Sequence, residues 1–131
     1  MARRAPAPPA VTFVLIADDE SSMRLLVHTT IESDSYQVIE AADGDEAWAL
    51  IKRYKPSLVL LDVQMPGRTG MEILASIKRD PSLRAVRVIL MTARALESDR
   101  TAGMAAGADF YLAKPFSPLE LLARVQEALG L

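Results

Sequence analysis

Short runs of apolar residues recur along the chain, and four of them end in residues suited to chemistry. Val11–Ala17 runs into Asp18-Asp19-Glu20. Leu58–Leu61 runs into Asp62 and continues Val63-Gln64-Met65-Pro66-Gly67. Val86–Met91 is followed by Thr92-Ala93, and Phe110–Ala113 by Lys114-Pro115-Phe116. Apolar runs of this length, bounded by turn signals, predict strands buried on both faces, the pattern of a parallel sheet. Open sheets of that kind bind ligands outside the carboxyl ends of their strands. If the runs are parallel strands, their acidic, hydroxyl and lysine termini share one edge and make one site.

The segments between the runs have helical spacing. A helix is predicted from a Ser21 or Ser22 cap to about Ser33, with Met23, Leu26, Val27, Thr30 and Ile31 inward. Gln37–Ala41 is a short strand. Asp43-Gly44 turns the chain into a helix with Ala47, Trp48, Leu50 and Ile51 inward, stopped by Pro56. Gly70 leads into a helix with Met71, Leu74 and Ile77 on one face, ending near Asp80 before Pro81. A fourth helix begins at Glu97 or Ser98, is weakened by Gly103 and closes at Gly107. Pro118 opens the last, with Leu119, Leu122, Val125 and Leu129 inward. Five strand–helix units imply an α/β fold, a parallel sheet covered on both faces.

A chain of 131 residues suits one domain. Residues 1–10, rich in Ala and Pro, read as a flexible arm, and residues 11–131 as the folded domain. A net charge of −2 without a long single-sign run gives no electrostatic footprint for nucleic acid. No apolar stretch approaches the roughly 20 residues of a membrane span. The absence of cysteine removes disulfide and thiolate chemistry and fits a cytoplasmic location.

Asp18, Asp19 and Asp62 each have an ordinary reading, as caps or turn residues. Lys114 alone reads as a solvated loop lysine, and Thr92 alone as a cap. Their conjunction at strand ends reads differently. Three converging carboxylates stay ionised only beside a cation. Hard oxygen ligands with few protein contacts suit Mg²⁺, which keeps waters and accepts a phosphoryl oxygen. A lysine and a threonine hydroxyl can then hold phosphate oxygens. A carboxylate nucleophile, a metal and two charge stabilisers are the parts that phosphoryl transfer to an aspartate needs.

The chain resembles the receiver domains of two-component response regulators. The segments that carry the resemblance are Ala17-Asp18-Asp19-Glu20, Leu60-Leu61-Asp62-Val63-Gln64-Met65-Pro66-Gly67, Met91-Thr92-Ala93, Gly107-Ala108-Asp109 and Lys114-Pro115-Phe116. It implies a flavodoxin-like, doubly wound (βα)5 fold with strand order 2-1-3-4-5. It implies that Asp62 accepts a phosphoryl group from the phosphohistidine of a sensor kinase or phosphotransfer protein. Asp19, Asp62 and the Gln64 backbone carbonyl would bind Mg²⁺ directly, and Asp18 through water. Lys114 would pair with the phosphoryl oxygens across a cis Lys114–Pro115 peptide. Thr92 would bond the phosphate, letting Tyr111 rotate and change the surface of the fourth helix, fifth strand and fifth helix. Gln64 and Arg94 fall where the family tunes acyl-phosphate lifetime.

The implied role is a switch that modifies itself and slowly loses its phosphate, not a metabolic enzyme. It acts on an unspecified effector, without touching nucleic acid or membrane. The chain is expected to be a monomer, or a phosphorylation-dependent dimer through the face just named. Phe110 stands where many DNA-linked receivers have a second acid after Gly-Ala-Asp, which leaves Arg124 without its usual partner. A haloacid-dehalogenase-like phosphatase also uses aspartate, Mg²⁺, Thr/Ser and Lys, but needs an acid where Gln64 stands. A degenerate receiver would lack phosphorylation residues that are intact here, and a dinucleotide fold lacks G-x-G-x-x-G. His28, the single histidine, reads as a surface residue, and Trp48 as packing against the sheet.

Overall fold

The computed structural model describes residues 11–93 and 96–131. The proposed arm and Arg94 lie outside the described residues. The elements alternate in chain order: β1 (Phe13–Ala17), α1 (Ser21–Ile31), β2 (Gln37–Ala41), α2 (Gly44–Tyr54), β3 (Leu58–Asp62), α3 (Gly70–Arg79), β4 (Arg87–Thr92), α4 (Glu97–Ala105), β5 (Phe110–Ala113) and α5 (Pro118–Leu129). All strand pairs are parallel, in the order β2-β1-β3-β4-β5. The expected doubly wound fold is therefore present. No helix among the described residues is long and apolar enough to cross a membrane.

Strand alternation divides the interior into two cores, because successive side chains leave a strand on opposite faces. Val14, Ile16, Leu58, Leu60, Ile89, Met91 and Leu112 meet α1 and α5 through Val27, Ile31, Leu121 and Val125. Leu15, Ala17, Val59, Leu61, Val88 and Leu90 meet α2 and α3 through Ala47, Ile51, Ile73, Leu74 and Ile77. β3 is buried along its whole length, while the edge strand β2 is largely exposed or half-buried. That difference explains why β3 reads as an unbroken apolar run and β2 does not.

Four expectations need correction. First, β1 starts at Phe13, and Val11 is exposed. Second, the residue before α1 is Glu20, which makes no side-chain cap; its own N–H donates to Asp18 Oδ1 at 2.9 Å instead. Third, Leu26 is 49 % exposed, because the buried stripe of α1 runs through Val27 and Ile31 with Met23 half-buried. Fourth, Leu119 is 81 % exposed, and Leu121 with Val125 holds α5 to the sheet. A turn of 3-10 helix at Pro81–Leu83, absent from the sequence reading, buries Leu83 below α3.

The phase of α5 has a direct check. Leu121→Ala is expected to cost about 3 kcal/mol, the usual penalty for truncating a buried leucine. Leu119→Ala should stay within roughly 0.5 kcal/mol, as exposed positions do. Urea unfolding of both variants measures the difference; equal losses would rule out this packing.

Candidate phosphoacceptor site

Hydrogen bonds between adjacent strand ends bring the candidate residues together. The Asp18 N–H donates to the Ala41 carbonyl at 3.2 Å. The Val63 N–H donates to the Met91 carbonyl at 2.9 Å, and the Lys114 N–H to the Thr92 carbonyl at 2.7 Å. Asp62 is the last residue of β3 and lies opposite Met91. The Lys114–Pro115 peptide is cis.

Carboxylate oxygens of Asp18, Asp19 and Asp62 lie within 4.8 Å of one another. Asp18 is fully buried, Asp62 is 7 % exposed, and Asp19 faces solvent. Lys114 Nζ bridges the two buried acids, at 2.7 Å from Asp18 Oδ2 and 3.4 Å from Asp62 Oδ2. Asp62 Oδ1 accepts from the Gln64 N–H at 3.2 Å.

Burial is the main reason that the pKa of the Asp62 carboxyl is raised from its ordinary value; the Asp18 charge adds to the rise, while Lys114 and the Gln64 N–H oppose it. For Lys114, burial alone would lower the ammonium's pKa. The Asp18 hydrogen bond and the charges of Asp62 and Asp18 outweigh burial, so its pKa is raised and the ammonium persists.

The donor set fits a hard divalent cation. Three carboxylates face one ammonium, so a divalent ion would bring the cluster to neutrality. All the candidate ligand atoms are oxygens, as Mg²⁺ prefers. An open cleft lined by Asp19, Gln64, Met65, Pro66 and Thr69 gives solvent access at the same edge.

The loop after β3 is seated on α2. The Gly44 N–H donates to the Pro66 carbonyl at 3.0 Å. Arg68 pairs with Asp45 and lies over the Trp48 ring, with 5.5 Å from guanidinium to centroid. Trp48 therefore packs partly against this loop as well as the core. Thr69 and Glu72 form a reciprocal capping box that starts α3 where the loop ends.

Thr92 is buried beside this edge. A cavity of about 100 Å³ is lined by Val63, Gln64, Met71, Thr92, Asp99, Ala102 and Tyr111. The Tyr111 ring packs against α4 at Gly103, where a Cβ would meet its Cδ2 at 3.3 Å and Leu90 Cδ1 at 2.9 Å. Gly103, which reads in sequence as a weakness of the helix, leaves room for the Leu90 and Tyr111 side chains. Asp109 of the Gly107-Ala108-Asp109 segment is a tie, accepting from the Val88 N–H at 2.8 Å and pairing with Arg87. Arg124 pairs with Glu127 in its own helix and lies over Phe110 at 5.8 Å.

The structure thus brings together Asp18, Asp19, Asp62 and Lys114, with Thr92 and Tyr111 beside a shared cavity. Two neighbours of the site escaped the sequence reading. Arg24 Nη1 donates to the Asp18 carbonyl at 2.6 Å, and its Nε lies 3.3 Å from Glu40 on β2. No local motif marks either residue, since the contact joins a helix to a different strand. His28 accompanies them, with Nδ1 at 2.7 Å from Glu40 Oε2.

A parallel doubly wound sheet with a buried acidic pair and a lysine at its carboxyl edge defines a class of phosphoacceptor-like domains. The family model described as "Response regulator receiver domain" matches residues 14–126, and the chain belongs to that family, the receivers of two-component systems. It is similar to the phosphate regulon transcriptional regulatory protein PhoB of Escherichia coli strain K12, 38 % identical over 116 residues that cover 88 % of this chain and 51 % of that protein. The same-named protein of Pseudomonas aeruginosa is 39 % identical over the same share of each. Among solved structures, chemotaxis protein CheY4 of Vibrio cholerae superposes with a TM-score of 0.81 at 32 % identity, covering 91 % of this chain and 99 % of that one. The chain spans about half the length of the curated relatives it matches.

Proposed function

We propose that Asp62 accepts a phosphoryl group from a phosphohistidine and that this modification switches the surface built from α4, β5 and α5. The observation that carries the proposal is the buried Asp18–Lys114–Asp62 bridge with Asp19 within reach. An Asp62 carboxylate oxygen attacks phosphorus as the bond to the donor imidazole breaks, and the leaving histidine nitrogen keeps the electron pair. Lys114 leaves Asp62 for the incoming phosphoryl oxygens, while its bond to Asp18 keeps it at the site. Asp19, Asp62 and the Gln64 carbonyl would hold Mg²⁺, with Asp18 acting through water; the ion's role is to offset charge on the transferring group. Hydrolysis of the acyl phosphate by water returns Asp62, so the domain resets without acting on a metabolite.

After transfer, the Thr92 hydroxyl donates to a phosphoryl oxygen, and Tyr111 moves into the space freed beside it. The cavity that both residues line supports this coupling. The donor is a sensor kinase or a phosphotransfer protein, and the domain works in the cytoplasm. Its own contacts are with protein. The expectation of no direct nucleic-acid binding is kept for this domain alone, because the PhoB relatives are named as transcriptional regulators. A DNA-binding effector is therefore the output that the relatives favour. The domain is a monomer, or a phosphorylation-dependent dimer through the α4-β5-α5 face, where Arg124 pairs with Glu127 of its own helix.

Incubation with acetyl phosphate tests the proposal by intact mass. A gain of one phosphoryl group that requires Mg²⁺ supports it. No gain either from acetyl phosphate or from a phosphorylated histidine donor, with the fold intact, overturns it. Lys114→Ala should still take up phosphate slowly while the protection of α4 and β5 against hydrogen exchange stays at its unphosphorylated level. Normal changes in protection would remove Lys114 from the switch.

A further inference from the structure

Asp18 is restrained from every side. Its N–H is tied to β2 at Ala41, its Oδ1 to the Glu20 N–H and its Oδ2 to Lys114. The fourth restraint acts on its backbone carbonyl: Arg24 Nη1 donates to it at 2.6 Å. That carbonyl belongs to the peptide that joins Asp18 to Asp19. Rotation of this peptide would swing the Asp19 carboxylate relative to Asp62. A charge-assisted hydrogen bond to the carbonyl opposes that rotation.

Arg24 is itself held. Its side chain is only 18 % exposed, and its Nε faces Glu40 Oε1 at 3.3 Å. Glu40 Oε2 accepts from His28 Nδ1 at 2.7 Å. Glu40 lies on β2 one residue before Ala41, the residue that receives the Asp18 N–H. The guanidinium therefore bridges two anchors, one just past the end of β1 and one on β2, a task that suits its planar fork and that one ammonium cannot perform in the same way.

We propose that Arg24, oriented by Glu40, is a positioning residue for the metal-binding acids: it fixes the Asp18–Asp19 peptide so that Asp19 and Asp62 address one cation. The assignment rests on the metal-dependent reading above. Residues that orient metal ligands from behind are typically worth about 10–100-fold in metal affinity. Arg24 also places a second positive charge behind the cluster without touching a carboxylate of it.

Mn²⁺, followed by electron paramagnetic resonance, is the probe. Arg24→Met should weaken Mn²⁺ binding about tenfold, and Glu40→Gln by a smaller factor in the same direction. Arg24→Lys should fall between Arg24→Met and the unchanged chain. In phosphoryl uptake from acetyl phosphate, the variants should need more metal for half-maximal rate yet reach a similar maximum, a split that general loss of stability does not produce. Metal-free melting shows which variants are folded, and Glu40→Gln keeps the test open if Arg24→Met is not. Unchanged Mn²⁺ affinity in the folded variants overturns the assignment. Failure of the unchanged chain to bind Mn²⁺ overturns the proposed function, and this inference with it.

Discussion

Asp62→Asn is expected to abolish phosphoryl uptake and, without metal at neutral pH, to raise the melting midpoint. The loss of uptake follows from removing the proposed nucleophile. The gain in stability follows from burial. The folded-state pKa of Asp62 is raised above its unfolded value, chiefly by desolvation. The folded state therefore holds this proton more tightly. Its proton-linked stability is complete below the unfolded pKa and is lost as pH rises through the folded pKa. At neutral pH the ionised group is a net cost.

Asparagine keeps the shape and an acceptor oxygen, and Lys114 keeps Asp18 at 2.7 Å, so no charge is orphaned. The midpoint should rise by a few degrees, at roughly 4 °C per kcal/mol for a domain of this size. The difference should shrink in acid, where Asp62 is protonated in the unchanged chain. Lys114→Ala has the opposite sign. It leaves two buried carboxylates without their ammonium, at a cost of about 3 kcal/mol. Added Mg²⁺ should recover part of that loss by binding the folded state. Calorimetry of the three chains at neutral and acid pH, with and without Mg²⁺, decides the matter. A lower midpoint for Asp62→Asn at neutral pH would make its carboxylate a net stabiliser and overturn this account.

Gly44→Ala is expected to be the more damaging change, although Gly44 carries no side chain into the site. A Cβ on Gly44 would stand 1.7 Å from the Arg68 carbonyl oxygen and 2.5 Å from its carbon. These are backbone atoms, so no rotamer relieves the clash. Either α2 or the loop that follows β3 must move, and the Gly44–Pro66 hydrogen bond is lost. We expect a loss of about 4 kcal/mol or more, at the severe end for single substitutions, and a midpoint lower by on the order of 15 °C. Phosphoryl uptake should slow in whatever fraction stays folded, because the same loop carries Gln64. Arg68→Ala is the comparison: it removes an exposed ion pair and a ring contact but no backbone contact, and should cost about 1 kcal/mol or less. Similar losses for the two variants would show that side chains, not backbone approach, seat the loop.

The parallel sheet and the gathering of the site residues at its edge were legible in this sequence because the apolar runs and their polar ends report the same geometry; the strand order came from the family resemblance. β1, β3 and β4 are buried on both faces, so their composition alone predicts central strands. Helix phase was less legible. In α5, Leu119, Leu122, Val125 and Leu129 form one plausible stripe, and Leu121, Val125 and Ala128 another. Both are apolar, so periodicity could not choose; packing selects the second, with Leu129 and Leu122 at its margin. Leu26 was misplaced for the same reason. Gly44 was read as a turn residue, whereas it opens α2 and its small size is what the neighbouring carbonyl requires. Arg24 and Glu40 were invisible, because a contact between a helix and a separate strand leaves no spacing to read.

The alternation that divides the two cores also divides labour. Asp62 follows Leu58 and Leu60 in phase, on the side of α1 and α5, and Lys114 follows Leu112. Thr92 follows Val88 and Leu90, on the opposite side, together with Tyr111. The proposed acceptor Asp62 and the proposed switch pair Thr92 and Tyr111 thus stand on opposite banks of one sheet. Repacking one bank offers a route to retune either property with the other left nearly as it was.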